Sequence, residues 1–159
     1  MNIALKVFQN LSVHGLKLTT AESCTGGMVA AAITDIAGSS TVFDRGFVTY
    51  SNAAKTDMLS VPQDLISEFG AVSEEVACAM AQGALSHSAA DIAVSVTGIA
   101  GPTGGSAEKP VGLVHFAVAT RQATFTKVQH FGNLSRSEIR ERATFFALEM
   151  LLAAEIMRL

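Results

Sequence analysis

The chain carries a serine, a tyrosine and a lysine at a spacing open to nucleophilic chemistry. Gly38-Ser39-Ser40 is followed ten to fifteen residues on by Tyr50-Ser51-Asn52-Ala53-Ala54-Lys55. A serine hydroxyl attacks poorly until a base takes its proton. Lysine serves as that base once burial lowers its pKa towards ~7–8, and a tyrosine relays the proton or orients the amine. Serine–lysine pairs are established variants of the catalytic triad. On spacing alone, the plainer reading is a surface lysine at a helix start, with Ser39 and Ser40 capping a turn.

Two further loops have the composition of binding sites. In Ala21-Glu22-Ser23-Cys24-Thr25-Gly26-Gly27 a strand passes into a helix. Small residues there let an anion reach N–H groups at a helix N-terminus, so Thr25, Gly26 and Gly27 are candidate phosphate ligands. A plain N-cap by Ser23 or Thr25 is the alternative. The loop is neither a Walker sequence nor G-x-G-x-x-G. Cys24 is open to two readings: a thiolate favoured by the helix N-terminus, or a small buried hydrophobe, which is preferred. The second loop, Thr97-Gly98-Ile99-Ala100-Gly101-Pro102-Thr103-Gly104-Gly105, leaves the carboxyl end of an apolar strand, where open α/β sheets bind ligands. It is long for a plain connection, which favours function.

Metal chemistry finds no support. His14, His87, His115 and His130 have no ligand spacing, and Cys24 and Cys78 form neither a disulfide framework nor a zinc pattern. No G-x-S-x-G elbow is present.

The elements that must position these groups follow closely along 159 residues, enough for one domain. Hydrophobic residues make up 49% and charged residues 16%, which excludes a disordered chain. A net charge of −3 without a Lys/Arg run argues against nucleic acid or an acidic membrane as partner. Mean hydropathy is +0.37, yet no stretch approaches the ~18 apolar residues of a span. The N-terminus lacks an apolar h-region with a cleavage site, so a cytoplasmic protein is expected.

Periodicity predicts a helix over 2–14 stopped by Gly15, a strand over 16–21, a helix over 25–37 and a strand over Phe43–Tyr50. A short helix over 52–59 and a turn begun at Ser60-Val61-Pro62 come next. Ser73 then caps a helix, with Glu74 and Glu75 in its first turn. Ile92–Thr97 fits a buried strand. Val111–Thr120 and Ala123–Phe131 read as a hairpin, and Ser135-Arg136-Ser137-Glu138 is a capping box opening the last helix. The order α-β-α-β-α-α-β-β-β-α predicts an α/β fold: a three-layer α/β/α sandwich around a mixed, mainly parallel five-stranded sheet.

Thr20–Gly27, Gly38-Ser39-Ser40, Tyr50-Ser51-Asn52, Lys55, Gly70-Ala71-Val72-Ser73, Thr97–Pro102 and Glu108-Lys109-Pro110-Val111-Gly112 together resemble one family. It is the C-terminal domain of the competence/damage-inducible protein CinA, including its stand-alone nicotinamide-nucleotide amidases. The resemblance covers about residues 5–155, a single domain over 1–159. It implies deamidation of nicotinamide mononucleotide to nicotinic acid mononucleotide and ammonia, in pyridine-nucleotide salvage. It also implies no cofactor, no metal and a homodimer. By the same resemblance, Ser40 is the nucleophile, Tyr50 and Lys55 its partners, and Ser23 and Thr97 helper hydroxyls. Gly98 and Gly101 of the glycine loop, with Arg136 or Arg140, complete the expected substrate and phosphate site. Thr103 stands where many members carry an acidic residue. A silent nucleotide-binding module and a Ser/Cys hydrolase of another amide are the competing readings.

Overall fold

The computed structural model describes residues 2–154. The strands are β1 (Leu18–Glu22), β2 (Phe43–Val48), β3 (Ile92–Gly98), β4 (Leu113–Thr120) and β5 (Thr124–His130). They form one sheet in the order β2-β1-β3-β4-β5. β1 pairs in parallel with β2 and with β3, while β3–β4 and β4–β5 are antiparallel. The mixed sheet and the sandwich are as the sequence predicts.

Six α-helices cover the two faces. α1 (Ile3–His14), α2 (Met28–Thr34) and α6 (Arg136–Ala153) pack on one side, where Leu11, Ile33, Ile139 and Leu151 meet Leu18, Val94 and Phe116 in the larger core. α3 (Asn52–Leu59), α4 (Gln63–Phe69) and α5 (Glu74–Ser86) take the other side, with Leu59, Val76 and Met80 packed around Ala21 and Ala93. α4 is a separate helix where the sequence marks only a turn.

Local chemistry sets the boundaries. Gly15 adopts φ 64° and ends α1, as expected. Ser135 and Glu138 form the reciprocal capping box of α6, and the Ser73 hydroxyl accepts from the Val76 N–H at the start of α5. The expected helix over 25–37 shortens to Met28–Thr34. Gly26 and Gly27 take φ 58° and 101°, and the turn they make lies outside the helix.

The connections place the site. The chain crosses from β1 to β2 through α2 on one face, then from β2 to β3 through α3, α4 and α5 on the other. β2 and β3 therefore flank β1 on opposite sides. The carboxyl ends of all three strands open into one crevice, the usual ligand position of a doubly wound sheet.

α3 is held close to α5 at Gly83. A Cβ there would lie 2.1 Å from the Leu59 carbonyl oxygen, so only glycine lets the two helices approach this far. We expect Gly83→Ala to destabilise the fold by about 1–3 kcal/mol, as overpacking does, read as a lower urea midpoint. An unchanged midpoint would show that α3 is free to move away.

Candidate active site

Each strand end contributes one part of the crevice. Beyond β1, the Ser23 N–H donates to the Val96 carbonyl at 2.9 Å, which prolongs the pairing with β3 and holds the serine at the crevice floor. Beyond β2, the Ser51 hydroxyl caps α3 by accepting from the Ala54 N–H at 3.0 Å. Lys55 follows on the first turn of that helix. At the end of β3, Thr97 and the glycine loop that follows form the opposite wall. The cleft has a volume of about 260 Å³ and is lined by Ser23, Lys55, Thr97, Gly98, Gly101 and Arg136, among others.

Lys55 is 1% exposed. Its Nζ lies 3.2 Å from Ser23 Oγ and donates to the Thr49 carbonyl at 3.0 Å, with the Tyr50 carbonyl at 3.5 Å. Among the described residues no carboxylate pairs with it; the one ion pair is Arg45–Asp44, at the surface. A buried ammonium without a counter-ion is costly. Burial accordingly pushes the Lys55 pKa below its ordinary 10.5.

The structure places Ser40 away from this lysine. Ser40 is exposed on a 3-10 turn, Ser39–Thr41, that precedes β2. The length of β2, roughly 20 Å for six residues, separates it from the crevice. Ser23 is the serine that meets Lys55 within one chain, and the expectation that Ser40 supplies the attacking oxygen is corrected accordingly.

Thr25, Gly26 and Gly27 also differ from expectation. The α2 N-terminus is already occupied by the chain's own carboxylate. Glu22, 1% exposed, accepts from Thr25 Oγ1 at 2.7 Å and the Val29 N–H at 2.8 Å through Oε1, and from the Ala30 N–H at 3.1 Å through Oε2. An incoming phosphate would find these donors used, and none of the three residues lines the cleft.

The two arginines of α6 divide. Arg140 donates to the Cys24 and Thr25 carbonyls at 3.0 and 3.2 Å and clamps the turn after Ser23. Arg136 lines the cleft and donates to the Gly101 carbonyl at 2.7 Å and the Tyr50 hydroxyl at 2.8 Å. Arg136 is thus the arginine placed to meet a ligand. The Tyr50 hydroxyl is engaged by Arg136, so Tyr50 reaches Lys55 through its backbone carbonyl.

Thr97 Oγ1 donates to the Ala71 carbonyl at 2.7 Å, which leaves its lone pairs as acceptors beside the cleft. Cys24 is packed in the core, and burial raises its thiol to about 11. It is a thiol at neutral pH, as the hydrophobe reading has it. No cluster of three His, Cys, Asp or Glu among the described residues suits a metal ion, and no described helix is long and apolar enough to cross a membrane. Asn52 and Thr103 also line the cleft. Asn52 was visible only as part of a motif, because nothing in its spacing marks it as facing a ligand.

A doubly wound sandwich with a serine hydroxyl beside a buried, unpaired amine at its switch point defines a hydrolase-like class of α/β domain. The family model for the CinA C-terminal domain matches residues 1–154. The chain belongs to this family. It is 53% identical over 152 residues to the nicotinamide-nucleotide amidohydrolase PncC of Escherichia coli K12, covering 95% of this chain and 92% of that protein. It is also 56% identical over 137 residues to a CinA-like protein of Geotalea uraniireducens, covering 86% of this chain and 32% of that longer protein. Among solved structures, the competence/damage inducible protein CihA of Agrobacterium tumefaciens superposes with a TM-score of 0.93 at 53% identity, covering 95% of this chain and 92% of that one. A CinA superfamily protein of Escherichia coli gives 0.91 at 39%, covering 95% and 87%.

A lysine with a depressed folded pKa makes stability depend on pH. Between that pKa and the unfolded value near 10.5, the unfolded chain binds more protons, so stability rises with pH. We expect the folded protein to gain stability relative to Lys55→Met as pH increases through this window, measured by urea unfolding at several pH values. Parallel stability profiles would mean that Lys55 titrates like a lysine in water.

Proposed function

We propose that this chain is an amidohydrolase that converts nicotinamide mononucleotide to nicotinic acid mononucleotide and ammonia. One observation carries the chemistry: Ser23 Oγ sits 3.2 Å from the Nζ of a buried lysine with no carboxylate partner. The substrate comes from the name borne by the Escherichia coli relative at 53% identity.

In this reading neutral Lys55 takes the Ser23 proton as Oγ attacks the carboxamide carbon. The oxyanion that develops is held by the N–H group of Cys24, which lines the cleft and donates to no other backbone group among the described residues. Lys55 returns the proton to the amide nitrogen, the C–N bond breaks and ammonia leaves. Water then attacks the Ser23 ester, with Lys55 again accepting a proton, and the carboxylic acid is released. Atoms and charges balance without a cofactor or metal.

Arg136 gives the phosphate a partner. It is the cationic side chain of the cleft lining, and no Asp or Glu among the described residues lines the cleft. A guanidinium grips phosphate through paired N–H groups. Gly98 and Gly101 line the cleft, and their lack of a Cβ lets the loop pack against Val114 and Val111. Thr97 accepts a hydrogen bond from the ligand, and Tyr50 steadies Arg136. A role in pyridine-nucleotide salvage, a homodimeric assembly and a cytoplasmic location are parts of the proposal that rest on the family resemblance.

The test is ammonia release from nicotinamide mononucleotide by the purified protein, with chelator present. The wild type and Ser40→Ala should turn over, whereas Ser23→Ala and Lys55→Met should lose at least about 1000-fold while remaining folded. Nicotinamide riboside, which lacks the phosphate, should react more slowly, and Arg136→Ala should erase most of that difference. Activity in Ser23→Ala together with loss in Ser40→Ala would reverse the nucleophile. Binding of the nucleotide without turnover by the wild type would make the chain a silent binding module.

A further inference from the structure

Glu22 is a buried carboxylate that the reaction above does not use, and it directly precedes the proposed nucleophile. Ser23 belongs to the strand end that faces α3, whereas the Glu22 side chain turns to the opposite face of the sheet, towards α2. There it accepts three hydrogen bonds, from the Thr25 hydroxyl of the following turn and from the Val29 and Ala30 N–H groups of α2, at 2.7–3.1 Å. α2 has no side-chain cap of its own, because its N-cap is Gly27. The carboxylate therefore stands in for a capping residue five positions away, and the helix dipole adds to its hold. The segment tied down between Glu22 and α2 is Ser23-Cys24-Thr25-Gly26-Gly27. Arg140 holds the same segment from outside, on the Cys24 and Thr25 carbonyls.

We propose that Glu22 is a positioning residue for the reaction: by anchoring Thr25 and the α2 N-terminus it sets the direction of the Cys24 N–H group that receives the oxyanion. The inference rests on the amidohydrolase reading with Ser23 as nucleophile. Fixed donors act on the transition state because they need no rearrangement as charge develops. A small displacement of such groups costs far more in rate than in ground-state binding. Arg140 alone does not supply this orientation, since the carbonyls it grips, those of Cys24 and Thr25, lie outside the peptide plane that carries the Cys24 N–H.

The experiment compares wild type, Glu22→Gln and Glu22→Ala for kcat and KM on nicotinamide mononucleotide. It also compares the rate at which a phosphonate ester labels Ser23, read by mass spectrometry. All measurements are made well below the thermal midpoint of each variant. Gln keeps an oxygen for Thr25 and Val29 but turns an NH2 group towards the Ala30 N–H, so kcat should fall about 10-fold. Ala removes the anchor, and kcat should fall about 100-fold. KM should move by less than about threefold in both, and Ser23 labelling should slow in step with kcat.

A lower thermal midpoint with unchanged kcat and unchanged labelling would overturn the inference, because Glu22 would then be a helix cap and nothing more. Should neither Glu22 variant fold, Thr25→Val removes one of the three donors. It should lower kcat and labelling together, and unchanged values would equally overturn the inference. The two levels of the account separate cleanly. A wild type that neither hydrolyses the nucleotide nor labels at Ser23 defeats the amidohydrolase reading, whereas an active wild type matched by its Glu22 variants defeats only the positioning role.

Discussion

A lysine amine buried without a carboxylate is the constraint on which the rest of this molecule turns. Taking an ammonium out of water is expensive, and a protein that does so ordinarily supplies a counter-ion. Among the described residues Lys55 Nζ meets only oxygens that carry no charge: Ser23 Oγ and the Thr49 and Tyr50 carbonyls. The arrangement suits a neutral amine, whose lone pair faces a hydroxyl. A carboxylate in the place of either carbonyl would raise the pKa and leave the amine protonated and useless as a base.

The sheet makes that placement possible by separating two tasks on its two faces. The face towards α3 and α5 carries the base, held close by the glycine contact at Gly83. The face towards α2 and α6 carries the supports of the serine turn, Glu22 from within and Arg140 from outside. Alternation along one strand end is sufficient to send Glu22 to one side and Ser23 to the other. α6 repeats the division. Arg136 and Arg140, one turn apart, serve the cleft and the scaffold respectively, and the capping box at Ser135 fixes where that helix begins.

Most of the fold was legible because its signals are local. Gly15, the Ser73 cap and the Ser135–Glu138 box act within a few residues, and the apolar run Ile92–Thr97 can only be a buried strand or helix segment. The site was legible as a set of loops but not as a set of contacts. Ser23 and Lys55 lie 32 positions apart, and their meeting follows from the parallel pairing of β1 with β2, which no spacing rule reports. Ser40 has the more suggestive neighbourhood in sequence, yet it lies before β2 while Lys55 lies after it. The α2 N-terminus looked open to phosphate because glycines and small residues surround it. The feature that closes it, an acid ending a buried strand, was present in the sequence at Glu22 and reads as a binding signal only when its partners are known.

The central claim is that Lys55 is neutral where it must act. The most direct measurement is an NMR titration of the lysine side chains, with Lys55 identified by its absence in Lys55→Met. The other four lysines, Lys6, Lys17, Lys109 and Lys127, serve as references within the same sample. The account predicts that the Lys55 resonance titrates well below that group, and that Ser23→Ala leaves its midpoint low because burial is the main cause. A Lys55 midpoint among those of the other lysines would contradict the account, since the amine would then be an ammonium at neutral pH and another group would have to take the proton from Ser23.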